Sequence, residues 1–509
     1  MASPIPLQLE YGGICRDYPR DQLPPGYIWE CIDFVPQILS APLTKRGGFK
    51  YGSTAMGATS SVKGLLYAPF ASGALNLAIT SDNHLYSFTS GSNSDLGAAV
   101  NVVQNPVFHR SSSTGASPDA GLAIIPAAGG STAPKSYDGS TLQNLAGTPP
   151  KATYACVFND YTVFGNGTVG STAYTNRIWF SVRGDAAAAW DTTNSVQDST
   201  APITGLAAAR SAILVFHSRF TERFRGTHPG TAAAGDASDF AQDTPLNVGC
   251  MDARTIVNYK DGWVLWADQA GIYMSDGVSI KNIAAEGLIS SIWRVYTAQA
   301  WTVAAAGIIN DTYFISLTGS GGTDLGTWAY DIVHGWWWRA ANFKFLCYAR
   351  SGGATEETYA GMAGAGRVAA LSTVFTPSGT YKNDAEGSAV IPYMETGFYR
   401  GFQRLHRKWV PSMGIQSWKC LYLNYVLQDA ASDSPTIQIQ CMVNQDGTFA
   451  APTNTLAAHG STQIRTRRDL RLQANAIAFN FQQANASAQT KLYMIEGWYE
   501  PLGTGQLSQ

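Results

Sequence analysis

Charge is scarce in this chain. Of its 509 residues, 14% are Asp, Glu, Lys or Arg, where an ordinary soluble domain carries about 25%. The net charge is -2 and the pI about 6.4. That balance argues against the basic face of a strong nucleic-acid binder. Apolar runs are short, and none nears the roughly 18 residues of a membrane-spanning helix. The opening Met1-Ala2-Ser3-Pro4-Ile5-Pro6 has neither the basic nor the apolar stretch of a secretory signal, so none is expected. Cysteine is sparse too. The seven, at 15, 31, 156, 250, 347, 420 and 441, are odd in number and contain no Cys-x-x-Cys pair. They read as reduced, buried thiols of a protein made in a cytosol.

The usual catalytic and ligand signatures are also thin. The seven histidines (84, 109, 217, 228, 334, 406 and 459) show neither His-x-His nor His-Glu-x-x-His spacing, so no protein metal site is expected. Only a loop-held Ca²⁺ stays open. Asp331 with His334 reads as a tightened turn. Gly165-Asn166-Gly167-Thr168-Val169-Gly170 fits a dinucleotide fingerprint, but a strand-like stretch follows it rather than a helix whose N-terminus would hold a pyrophosphate. There is no Gly-x-Ser-x-Gly elbow. Glu356-Glu357 sits in a polar loop, and Ser275-Asp276-Gly277 is out of register with sialidase turns. No catalytic residue and no cofactor is expected.

Glycine and aromatics are plentiful. Glycine is 51 of 509, which suits many tight turns, and 12% of residues are aromatic. High aromatic and low charged content fit a chain that buries much surface, including surface against partner subunits. A strand-end phrase recurs: Leu85-Tyr86-Ser87, Ser136-Tyr137-Asp138-Gly139, Ile178-Trp179-Phe180-Ser181, Arg223-Phe224-Arg225-Gly226, Ile272-Tyr273-Met274-Ser275-Asp276-Gly277 and Trp328-Ala329-Tyr330-Asp331. Its aromatics at 86, 137, 180, 224, 273 and 330 are 51, 43, 44, 49 and 57 residues apart. Four-stranded propeller blades of roughly 40–50 residues produce such a period. The expected fold is therefore all-β: a β-propeller of about five to eight blades, with an N-terminal arm and a C-terminal β-sandwich.

The boundaries expected are an arm over 1–55, a propeller over 56–375 and a sandwich over 376–509. The arm is punctuated by Pro and Gly; the blade phrases stop near 375. Beyond that point, four runs of period two begin at Cys420, Thr436, Ala476 and Lys491. One helix is expected over 284–296, with Ile289, Ile292, Trp293 and Tyr296 on one face. Trp336-Trp337-Trp338 reads as blade core, with a sugar-stacking site as the sharper alternative. Two basic clusters mark the last domain. One holds Arg400, Arg404, His406, Arg407 and Lys408; the other holds Arg465, Arg467, Arg468 and Arg471. On a continuous strand Arg465, Arg467 and Arg471 share a face. That face is either a charged rim toward DNA or an acidic partner, or a solvated surface.

Three phrases resemble the tail hub or nozzle proteins of short-tailed bacteriophages, the tail tubular protein B and packaged-DNA stabilisation families. The first is the arm: Gly12-Gly13, Leu23-Pro24-Pro25-Gly26, Asp33 and Lys45-Arg46-Gly47-Gly48. The second is Asn176-Arg177-Ile178-Trp179-Phe180-Ser181, with Gly184-Asp185 and Trp190 after it, where Ala186 replaces a common Pro. The third is Tyr313-Phe314-Ile315 followed by Tyr330-Asp331 and Gly335-Trp336. The resemblance implies a structural protein of the virion tail, made in the host cytoplasm, that forms a homo-oligomeric ring, usually a hexamer. Its neighbours would be adaptor or portal-proximal tail proteins and fibres or spikes. Genomic DNA would pass the lumen without sequence specificity. It implies no catalysis. Two other classes compete with it, a propeller polysaccharide hydrolase and a glycan-binding propeller, each for host attachment.

Overall fold

The computed structural model describes residues 3–7, 12–24, 27–37, 41–46, 48–57, 60–89, 91–111, 121–130, 132–231, 236–298, 301–319, 324–341, 343, 345–350, 358–371, 393–395, 402–405, 408–411, 416–428, 436–443, 454–457, 464–474, 477–483 and 489–501. The protein is all-β. Its α-helices among these residues are Ile283–Glu286 and Ser290–Ala298. They replace the single helix expected from sequence. Gly287 ends the first, and Leu288 at φ +58° separates it from the second. The predicted apolar face survives: Ile289 and Trp293 are fully buried, with Ile292 and Tyr296 packed against them.

Among the described residues, seven four-stranded antiparallel units follow one another. They occupy residues 62–98, 107–144, 151–198, 205–246, 257–282, 301–340 and 345–371. The seventh supplies only three of its own strands; Phe49–Tyr51 of the arm adds the fourth. The first strands of successive units touch in chain order, and that of the seventh touches that of the first. This closed ring of antiparallel sheets is a β-propeller.

All six recurring aromatics lie on the third strand of the first six blades, and all are buried. Five of the seams between blades carry an apolar core of their own, and the seams of blade six with blades five and seven share one with the sandwich. Phe180 and Phe224 share one with Val163 and Ile213; Trp179 shares another with Ile124 and Phe164. Blades covered on both faces explain unbroken apolar strands such as Ile213–Phe216, buried at every position. Tight hairpins use Asn159-Asp160 and Asn310-Asp311, where both residues take positive φ as a type I′ turn requires. Where the phrase includes an Asp, the carboxylate caps the following turn. Asp138 accepts the amides of Ser140 and Thr141, Asp276 those of Val278 and Ser279, and Asp331 those of Val333 and His334.

The last part of the chain forms two packed sheets. One runs from Ile464–Ala474 through Gln416–Gln428 and Gln489–Pro501 to Ala41–Lys45 and Phe34–Gln37, with Ser3–Leu7 also on Gln489–Pro501. The other joins Glu30–Ile32, Tyr393–Glu395, Ile477–Gln483, Thr436–Val443 and Asn454–Ala457. Leu43, Leu423, Tyr425 and Leu492 of the first share one core with Met394, Ile439, Phe479 and Phe481 of the second. The four period-two runs are all strands here. The 1–55 segment contributes to both parts of the fold. It adds strands to both sandwich sheets and closes the propeller. Ile32 also pairs in parallel with Arg339, linking the sixth blade to the second sandwich sheet.

Candidate functional site

The ring encloses a cavity of about 420 Å³, walled by the inner strands of blades two to seven. The link between blades one and two crosses it. Gln104 Nε2 donates to the Leu206 carbonyl at 3.0 Å in blade four. Asn105 Oδ1 accepts the Leu65 amide at 3.2 Å, and its Nδ2 donates to the Tyr348 carbonyl at 2.7 Å, bridging blades one and seven. The charged residues in the wall are Arg254, Lys260 and Arg350. Arg254 makes a fork to Asp252 at 2.9 and 2.6 Å. Lys260 Nζ lies 2.6 Å from Asp311, which also accepts the Tyr259 hydroxyl at 2.9 Å. The Lys260 contact holds the Asp311 carboxyl below its ordinary range despite some burial. Burial and Asp311 push the Tyr259 hydroxyl up to about 12. These are tethered charges that fix the inner strands.

The candidate residues of the terminal domain fall in three places. Arg465 and Arg467 lie on one exposed face of Ile464–Ala474, the strand at the edge of its sheet. The Arg465 guanidinium sits 4.8 Å from the Tyr422 ring, and Arg467 Nε donates to Asp469 at 2.9 Å. Arg468, on the other face, donates to the Thr455 carbonyl at 3.0 Å. Arg471 lies where the ladder to Gln416–Gln428 shifts register, between Asp469 and Leu472. Charged side chains along an edge strand also block edge-to-edge aggregation. Arg404 and Lys408 lie on the paired strands Phe402–Leu405 and Lys408–Pro411, a two-stranded sheet of their own. Arg407 lies outside the described residues.

The phrases that carry the phage resemblance are structural in this chain. Asp33 and Arg46 form a buried ion pair at 2.6 Å, each side chain 1% exposed. Arg46 Nη2 also donates to the Ala341 carbonyl at 2.9 Å, and the Ala341 amide donates to Asp33 at 2.9 Å. Lys45 is fully buried beside them. Glu30 takes Arg16 and, at 3.4 Å, Arg339. Gly13, at φ +108°, packs on the Trp336–Trp337 backbone, where a Cβ would come within 3.3 Å of the Trp337 nitrogen. These contacts rivet residues 12–46 to the sixth blade. In the second phrase, Arg177 forks to Asp198 at 2.5 and 2.8 Å, and Trp190 stacks on Phe164 at 4.8 Å.

Other motifs resolve similarly. Trp337 and Trp338 are buried core, which leaves only half-buried Trp336 of the sugar-stacking alternative. Gly165 and Gly167 lie inside the strand Tyr161–Val169, and another strand follows. Sequence reasoning passed over Ser199, His217 and Glu222, which meet inside the fourth blade. His217 Nε2 faces both Ser199 Oγ, at 3.2 Å, and Glu222, at 3.4 Å, while Nδ1 faces the Pro202 carbonyl at 2.9 Å. A hydrolytic triad needs the acid on the ring nitrogen opposite the serine, so this is a buried polar cluster. Among the described residues no group of His, Cys, Asp or Glu is placed to hold a metal ion, and no helix is long and apolar enough to cross a membrane.

The architecture is that of a propeller fused to a sandwich. No family model matches the chain, and no curated protein matches it. Among solved structures, BamB from Moraxella catarrhalis is 11% identical, over 63% of this chain and 97% of its own, at a TM-score of 0.31. An exo-β-1,3-galactanase from Phanerochaete chrysosporium is 11% identical, over 89% of this chain and 100% of its own, at 0.24. A family 43 arabinoxylan arabinofuranohydrolase from Bacillus subtilis is 10% identical, over 86% and 96%, at 0.25. Likenesses this distant carry no argument about activity.

Proposed function

We propose that the chain is a structural subunit of a bacteriophage tail, a nozzle or hub ring of several copies, most simply six, below the portal and adaptor. One observation supports the reading above the others. The segment with the most specific resemblance, Gly12–Gly13 through Asp33 to Lys45–Arg46, is the piece that rivets the propeller and the sandwich into a single block. Repeated rigid blocks are what a ring under DNA pressure requires. The lumen of such a ring lies between copies. The propeller's own axis is crossed by Gln104 and Asn105, and a cavity of about 420 Å³ admits no duplex, since the major groove alone is about 12 Å wide.

The competing reading is a propeller hydrolase, which would set two carboxylates across its funnel. The charged residues in this wall are Arg254, Lys260 and Arg350, and none in it is Asp or Glu among the described residues. The experiment is electron microscopy and mass spectrometry of purified phage particles. The protein is expected as a ring at the tail, in stoichiometric amounts. Its absence from intact particles overturns the reading.

A further inference from the structure

The axial cavity has two unlike ends. Gln104 and Asn105 come just before the inner strand of blade two, and Arg254 just before that of blade five. Lys260 and Arg350 come at the far ends of the inner strands of blades five and seven. The inner strands of a propeller run the same way along the axis, so the two groups mark opposite ends. The first end is crossed by the bonds of Gln104 and Asn105 to blades one, four and seven. The second is a mouth, where the Lys260 side chain is 52% exposed and Arg350 is exposed too. The volume of about 420 Å³ lies within the range of about 300–1,000 Å³ of small-ligand sites.

Charge is the first clue to an occupant. Three cations line the cavity, while Asp252 and Asp311, which pair with two of them, are not part of the lining. The fork to Asp252 uses Nε and Nη2 of Arg254. Nη1, with two further protons, takes no part in it. The Arg254 side chain keeps 21% of its surface exposed, and it is the cavity that it lines. Lys260 likewise carries three protons, of which the contact with Asp311 Oδ1 needs one. A hollow with low-dielectric walls and one sign of charge concentrates the opposite sign.

Apolar surface is the second clue, independent of the first. Val107, Ile256, Val257 and Ile308 also line the cavity, and each is half-buried. Each touches a buried core without being covered by it. One strand further out, Ile213–Phe216 is buried at every position. A ligand with an apolar body would cover what the seams leave open.

We infer that the cavity binds a small organic anion, which enters past Lys260 and Arg350. Its carboxylate or phosphate rests on Arg254 Nη1, and its apolar body lies along Val107, Ile256, Val257 and Ile308. Inorganic phosphate answers the charge but leaves the apolar wall bare. A neutral compound answers the wall but not the charge, and a cation is repelled. The site is independent of the tail reading, and either stands if the other falls.

The test is titration calorimetry on the full chain with benzoate, hexanoate and phenyl phosphate, alongside benzyl alcohol, benzylammonium and inorganic phosphate. At least one organic anion is expected to bind at up to millimolar concentration, more tightly than the other three compounds, and more weakly as salt is raised. Arg254→Lys keeps a cation for Asp252 but has no second nitrogen for the ligand, and weakens binding about tenfold or more. Asn258→Trp, at an exposed position of the lining, fills the space and abolishes binding. Thermal melts that match the parent show each variant folded, and if Arg254→Lys melts early, Asn258→Trp decides. The inference is overturned if no organic anion binds, or if inorganic phosphate, benzyl alcohol or benzylammonium binds as tightly. It is equally overturned if either variant, folded, binds like the parent.

Discussion

Arg46 and Asp33 meet at 2.6 Å in a place where each side chain is 1% exposed. The pair sits where the N-terminal segment turns from the sandwich toward the seventh blade. Asp33 holds φ +58° there, and the Arg46 guanidinium lies 4.4 Å from the Phe343 ring. Removing one partner strands a buried charge, which costs about 3–5 kcal/mol. Arg46→Met is therefore expected to lower the unfolding free energy, measured by urea titration, by that amount. Adding Asp33→Asn removes the stranded charge, keeps the positive φ accessible, and restores much of the loss. A single variant as stable as the parent would show that the arm is not riveted there.

Asn105 carries the second expectation. Its amide bridges blade one and blade seven at the axis, by bonds to Leu65 and Tyr348. Asn105→Ala leaves the Leu65 amide and the Tyr348 carbonyl without that partner, a loss of about 1–3 kcal/mol. The denaturant slope stays unchanged, because the same surface unfolds. Asn105→Asp keeps the acceptor for Leu65 but sets a carboxylate against the Tyr348 carbonyl, and is expected to lose at least as much as the alanine. Equilibrium urea unfolding by tryptophan fluorescence measures both.

The blades were legible because burial on both faces forces a large aromatic onto each third strand, as Tyr86, Phe180 and Tyr330 show. The seventh blade was not. Its third strand, Val368–Leu371, has no aromatic, and its fourth, Phe49–Tyr51, comes from the far end of the chain. Periodicity has no access to such a pairing. The sandwich strands were readable as alternation, but not the strands the first 45 residues add to them. Asp33 and Arg46 stood in a recognised phrase, yet their pairing depends on a turn across 13 positions. Arg254 gave no signal at all. The cavity it lines is walled by several blades, and an isolated arginine in sequence says nothing of that.

The thiols set a pH expectation. Burial pushes Cys156, Cys250 and Cys347 up to about 12, from an ordinary 9.0. Their folded pKa lies above the unfolded one, so this contribution to stability is complete below pH 9. It is lost as the pH climbs from 9 toward 12, at about 1.4 kcal/mol per pH unit for each thiol. Stability at pH 10 should thus fall well below that at pH 8. At pH 8 the native protein should leave these three unreacted with a thiol reagent, while all seven cysteines react in urea. Fast native labelling of Cys156 or Cys347 would contradict the burial.

The last expectation concerns Arg465 and Arg467. Both are exposed on an edge strand, one over Tyr422 and one paired to its neighbour Asp469. Exposed contacts of this kind contribute about 0–1 kcal/mol. Arg465→Glu with Arg467→Glu is therefore expected to leave the melting temperature of the isolated chain nearly unchanged. Assembly should respond differently. If this edge meets an acidic neighbour, reversing two charges turns guanidinium–carboxylate forks into repulsion, and no ring forms on the tail. If the residues face a DNA lumen, rings form, and genome retention or ejection changes with a dependence on salt. If they only guard the edge, particles are normal, since glutamate guards it as well as arginine. Counting tails by electron microscopy, with ejection measured in parallel, separates the three. The overall charge of -2 favours the first, because a surface that must let DNA slide is better kept free of arginine.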